Sequence, residues 1–179
     1  INFQNVLADY RRYFMPADMY TIAGRILHFG RWGRNSDEPR LWPLYLGYPG
    51  LVRGYDVNSI SMSDCNPDGT CPGFDRLLGS RLLVGNLEFR FPLLRPFGLR
   101  EGVYGPVPVE VALFGDGGVV WTQAEKPSFF GGTRKPVSSA GVAFRVNVLG
   151  FVIIELDAVR PFNRPGKGWM FQFNLAPGF

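Results

Sequence analysis

Ser80-Arg81-Leu82-Leu83-Val84-Gly85-Asn86-Leu87-Glu88-Phe89-Arg90-Phe91-Pro92-Leu93 decides the fold class. Leu83, Gly85, Leu87, Phe89 and Phe91 fall on one side of a period-two pattern, and Asn86, Glu88 and Arg90 on the other. That is the alternation of an extended strand lying between an apolar and a polar environment.

The pattern recurs along the chain. Seven segments carry it, at 2–14, 19–33, 80–93, 106–121, 138–148, 150–160 and 168–178. The fourth sets Val107, Val109, Val111, Leu113, Val119 and Trp121 against Glu110, Phe114 and Asp116. The fifth sets Val142, Phe144, Val146 and Val148 against Arg145 and Asn147, and the sixth Val152, Ile154 and Leu156 against Glu155 and Asp157. In the last, Trp169, Phe171, Phe173 and Leu175 oppose Gln172 and Asn174. The first two are noisier, with Asp9, Arg11 and Arg25 on the polar side.

Alternation alone does not say which face is wet. A soluble barrel turns its apolar face inward, whereas an outer-membrane barrel turns it to lipid and fills its lumen with polar groups. Length and loop rhythm favour the second. Every segment is eleven residues or longer, beyond the globular mode of about 5–6 and matched to a tilted membrane crossing. The connections also alternate: a tight turn at 15–18, a very long loop at 34–79, a link at 94–105, a long loop at 122–137, a minimal turn at 149–150 and a moderate loop at 161–167. Short turns at one rim and long loops at the other are the membrane-barrel arrangement, with the short rim and the C-terminus periplasmic. Seven strands leave the two termini at opposite rims, while bacterial single-chain barrels use even counts. The expectation is a missing upstream strand, with closure by further strands or another chain, because an open edge in lipid leaves backbone groups unpaired.

Composition agrees. The chain is 46% hydrophobic and 15% aromatic, which excludes disorder. Its 23 Gly and 15 Pro argue against helices. The longest apolar run, Val148 to Ile154, is far short of the roughly 18 residues of a spanning helix. No signal peptide follows Ile1, so any export signal is expected to be removed or upstream. The net charge of +4 is scattered rather than blocked, which points away from nucleic acid. Cys65 and Cys71 flank Asn66-Pro67-Asp68-Gly69-Thr70, a turn-forming stretch able to bring two thiols together. A local disulfide there implies an oxidising compartment, and two unpaired loop thiols are the alternative. Their spacing and the lack of partner histidines do not fit zinc, and no metal or cofactor is expected.

Two further motifs point to a family. The long loop contains Leu51-Val52-Arg53-Gly54-Tyr55, and the fourth strand Phe114-Gly115-Asp116-Gly117-Gly118. Together they resemble the signatures of the BamA/TamA outer-membrane insertase family and its two-partner-secretion relatives: a V-R-G-F/Y loop tip folding into the lumen, and an F-x-D-x-G strand receiving it. Gly85-Asn86-Leu87-Glu88-Phe89 resembles the family strand that carries an inward Glu, and the small cysteine loop sits where some members have a disulfide. The terminal Phe171, Phe173 and Leu175, ending at Phe179, are similar to the C-terminal signal by which assembly machinery recognises barrel precursors. The resemblance spans essentially all of 1–179 and corresponds to the C-terminal half of an antiparallel all-β transmembrane barrel, seven or eight strands of about 16. It implies an outer-membrane location, contact with outer-membrane lipid, client outer-membrane or secreted proteins, and a role in protein insertion or translocation. It also places this chain downstream of the family's periplasmic domains and first barrel strand.

The residues support a specific contact without the family. Arg53 is a planar cation able to make two parallel hydrogen bonds to one carboxylate. Asp116 and Glu88 lie on inward faces of the two strands after the loop, so Arg53 is expected to pair with Asp116, with Glu88 nearby, and to pin the loop in the lumen. Gly54 and Gly118 would allow the close backbone approach this needs.

An enzyme fits poorly. His28 is the sole histidine, and no Ser-His or His-Asp arrangement can be assembled around it. Glu88 and Asp116 could form an acid/base pair, but Arg53 would hold both ionised. Trp32, Trp42, Trp121 and Trp169 read as interfacial or loop aromatics. A passive outer-membrane pore or adhesin is the strongest rival. It leaves unexplained why the longest loop carries Arg53-Gly54 opposite a carboxylate strand.

Overall fold

The computed structural model describes residues 2–48, 50–61, 65–93, 109–148, 151–164 and 166–177. Within them the chain is nearly all antiparallel sheet: β1 (Gln4–Ala17), β2 (Tyr20–Trp32), the short β3 (Leu44–Tyr45) and β4 (Leu78–Gly79), β5 (Arg81–Pro92), β6 (Val109–Trp121), β7 (Val137–Val148), β8 (Val152–Pro161) and β9 (Met170–Pro177). The seven long strands form one sheet in the order β1-β2-β5-β6-β7-β8-β9, and β3 pairs with β4 inside the long loop. Each long strand thus pairs with the next long strand in sequence, a meander whose edges are β1 and β9. None of the described helices is long and apolar enough to cross a membrane, which says nothing of strands.

Parity carries through the registers. One inward rung runs Ala23, Glu88, Phe114, Gly141, Val159, Met170, and the next runs Arg25, Asn86, Asp116, Ser139, Pro161. Partners in an antiparallel ladder share a face, so the polar residues of β2, β5, β6 and β7 in these rungs converge on one side. The other side carries exposed Tyr10, Ile22, Ile26, Leu87, Leu113, Phe144, Leu156, Phe171, Phe173 and Leu175. Val111 is outward as well but covered, lying between its register partners Phe91 and Phe144.

Three expectations need correction. The first turn is Asp18-Met19, not 15–18, because β1 runs on to Ala17 through a register shift after Phe14. Pro16 sits in that shift, where a residue without an N–H costs the ladder least. Trp169 lies just before β9 rather than on it. Finally, the lumen is not polar throughout. Near the long-loop rim the inward positions are Leu27, Leu82, Val84, Val120 and Val137, and they pack with Tyr45, Leu46, Val52, Tyr55 and Leu77 of the loop into a buried core. Phe179, Val107, the 149–150 turn and all of the 94–105 link lie outside the described residues.

Candidate functional site

The site is built by the loop between β2 and β5. Leu44↔Gly79 and Tyr45↔Leu78 zip its two ends together, and Leu46 N–H donates to Leu77 O at 3.0 Å. Between them the chain turns at Gly50 (φ +81°) and Gly54 (φ +87°), conformations that suit glycine. Val57–Ser59 form one 3-10 turn whose start is capped by Asp56 accepting from Asn58 N at 2.7 Å. Cys65 and Cys71 are joined in a disulfide around the Asn66–Thr70 turn. Val52, Tyr55, Leu46 and Leu77 are each 1% exposed; full burial of such side chains is worth about 1.5–3 kcal/mol apiece. Apolar packing therefore brings the tip inside before any charge is counted.

Polar groups then fix it strand by strand. Arg25 on β2 donates to Gly50 O at 2.8 Å, and Asn86 on β5 donates to Leu51 O at 2.7 Å. The backbone N–H of Arg53 donates to Asp116 on β6 at 3.2 Å, and that of Gly54 to Gln172 on β9 at 2.7 Å. Tyr55 O–H donates to Ser138 O on β7 at 2.9 Å, while Arg164, in the β8–β9 loop, donates to Gly54 O at 2.9 Å. The Tyr45 hydroxyl donates to Tyr55 O. The tip thus spans the concave face from β2 to β9, and its buried peptide groups find partners on the wall.

Arg53 is the centre of the arrangement. Its Nε lies 2.7 Å from Asp116 Oδ2 and its Nη2 2.9 Å from Asp116 Oδ1, a forked pair. The same Nη2 is 2.9 Å from Glu88 Oε1. The guanidinium carbon stands 3.4 Å from the centroid of the Phe114 ring, a cation–π contact. Phe114 lies over its register partner Gly141, where any Cβ would come within 2.7 Å of the ring. Gly118 has the same function for the tip, since a Cβ there would meet Leu46 and Val52 at 2.8 Å. Burial disfavours the Arg53 cation, yet its bonds to Asp116 and the nearby Glu88 charge outweigh this and raise its pKa above the usual value. The group stays charged at any ordinary pH.

Several participants were not singled out from sequence. Glu88 is shared: besides Arg53, it accepts from Arg145 through both oxygens at 2.9 Å and pairs with Arg90 at 2.7 Å. Arg145 also meets Glu155 and lies 3.5 Å from Glu110. The inward parity of Asn86, Arg145 and Gln172 was visible, but nothing marked them as partners of the tip. Arg164 sits in a loop, where no periodicity speaks. Beneath the tip a cavity of about 200 Å³ is lined by Arg11, Arg25, Arg53, Glu88, Arg90 and Arg145. The terminal Phe171, Phe173 and Leu175 are outward and exposed. His28 faces outward too, stacked at 5.7 Å on Trp121.

The arrangement is thus a long loop held inside a curved antiparallel sheet by one buried Arg–carboxylate cluster, with an apolar girdle outside. No curated protein matches the chain. The family model of the Omp85 superfamily domain matches residues 33–179, from the start of the lumen loop through the last strand. Proteins of that family are β-barrels of the outer membrane of Gram-negative bacteria, concerned broadly with protein insertion and translocation. The chain belongs to the Omp85 superfamily.

Proposed function

We propose that this chain is part of a BamA/TamA-type barrel that assembles or translocates client outer-membrane or secreted proteins, and that it is not an enzyme. The observation that carries this reading is the joining of Arg53 to Asp116 and Glu88 in the lumen. A passive pore is served by an open lumen, and a loop anchored on five strands works against that. Such an anchor suits a barrel whose wall must move while its lumen stays plugged, because the loop links β2 to β9 through side chains rather than through the ladder. The free edges of β1 and β9 call for further strands, from the same or another chain, since unpaired backbone in lipid costs several kcal/mol per group. Asp116 and Glu88, the two carboxylates in closest contact with Arg53, are both held as arginine partners.

The test is reconstitution of the full-length protein in liposomes with a barrel client. Arg53→Ala and Asp116→Ala should each slow client assembly or secretion while the variants still insert and fold. Client handling at the native rate, with the loop demonstrably released, would favour the passive pore or adhesin instead.

A further inference from the structure

At the long-loop rim, on the outward side of the sheet, lies a second cavity of about 560 Å³, separate from the lumen. Arg34, Arg81 and Lys126 line it together with Trp32, Trp121 and Phe130. Arg81 is only 5% exposed. Its side chain crosses the outward face beside Gly30, where a Cβ would come within 3.1 Å of it. Nε donates to Arg31 O at 3.1 Å and Nη2 to Ser36 Oγ at 3.2 Å, and the guanidinium carbon is 4.4 Å from the Trp32 ring centroid. All these partners are neutral. Among the described residues no carboxylate pairs with Arg81, Arg34 or Lys126. Of the acids nearby in sequence, Glu125 is paired with Arg134 at 2.5 Å, and Asp37 accepts from the backbone N–H of Gln123 at the cavity wall at 2.7 Å without pairing with any of the three cations. A buried cation without a counter-charge is costly, and three cations around one cavity make a site for an anion of more than one charge.

The geometry points to a binding site for the phosphorylated headgroup of a lipid in the outward leaflet. Two observations choose a lipid over a free anion. The cavity opens on the membrane-facing side, beside the aromatic cluster of His28, Trp32 and Trp121, at the level where barrel girdles meet headgroups. The 3-10 turn Ser128–Phe130 at its edge also presents Phe129 and Phe130, 52% and 71% exposed, packed on each other at 4.7 Å. An adjacent pair of exposed phenylalanines suits an acyl boundary better than water. The phosphate would take the donors of Arg34, Arg81 and Lys126, and the lipid body would lie against the rings.

This inference rests on the membrane-barrel reading, so the experiment reads both. Full-length protein in detergent is titrated with diphosphoryl lipid A, with the same lipid dephosphorylated, and with inorganic phosphate, and bound lipid is counted by native mass spectrometry. Native protein should prefer the phosphorylated lipid by about tenfold or more. The Arg34→Gln/Lys126→Gln variant, altered only at exposed side chains, should lose that preference, and millimolar inorganic phosphate should not displace the lipid. Equal binding of the two lipids, an undiminished preference in the variant, or displacement by free phosphate would each overturn the assignment. Heat-modifiable gel migration of the same samples reads the barrel. Its loss removes both readings, whereas normal migration without lipid preference removes this one alone.

Discussion

Arg53 and Asp116 are not two independent contributors. The Asp116 side chain is fully enclosed and that of Arg53 nearly so, so removing either leaves the other buried without its main partner, at about 3–5 kcal/mol. Arg53→Ala and Asp116→Ala should each expose the loop to protease between Arg34 and Gly79, and the double variant should be less impaired than the sum of the two. Additive losses on limited proteolysis would mean that the pair is not coupled. Asp116 still accepts from Asn86 at 2.8 Å and Glu88 keeps Arg145 and Arg90, so the variants should retain the sheet. A second expectation concerns pH. Burial raises the phenol pKa of both Tyr45 and Tyr55 above the ordinary value of 10.0. A released loop loses these protons from about pH 10 while a seated loop keeps them, so seating is unaffected below pH 10 and weakens progressively above it. Tyr55→Phe should shrink that alkaline release as followed by tyrosine absorbance and protease access. At neutral pH it should also cost about 1–3 kcal/mol through the bonds lost to Ser138 and Asn163.

Strands were legible where one face met lipid and the other met charge. From β5 to β9 the side-chain parity read from residues such as Leu87, Glu88, Arg145 and Phe173 agrees with the register. It was less legible where both faces are apolar. Leu82-Leu83-Val84 and Val119-Val120-Trp121 break the alternation because their inward members pack on the loop rather than line a wet lumen. That double-sided apolarity was the available sign that the long loop folds back as a plug. The bulge at Pro16 and the reach of Arg164 to Gly54 had no periodic signature at all. Nitroxide labels at Leu87, Val146, Ile154 and Phe173 should be quenched by apolar reagents, and labels at Glu88, Arg145 and Asn174 should not; the reverse would make this a soluble barrel. The Cys65–Cys71 bond closes a small loop, worth on the order of 2 kcal/mol by chain entropy. Cys65→Ser/Cys71→Ser should therefore loosen the 57–76 part of the loop under protease and leave the barrel's heat-modifiable migration unchanged.

At the scale of the molecule, two packing problems are solved on opposite faces of one sheet. The outside presents aromatic and aliphatic side chains from Tyr10 to Leu175, and the inside closes on a loop that supplies both an apolar core and an arginine. The clamp reaches across the meander from Arg25 on β2 to Gln172 on the β9 edge, so the loop couples strands that the ladder leaves far apart. The most direct measurement is amide hydrogen exchange on the full-length protein in lipid nanodiscs, followed for peptides covering Gly50–Tyr55. Arg53 and Gly54 amides that donate to Asp116 and Gln172 inside the lumen should be protected on the same timescale as those of β5 and β6, and Asp116→Ala should bring the tip to loop-like rates while the strands stay slow. Exchange of the native tip at the rate of an open surface loop, with the strands fully protected, would contradict the clamp.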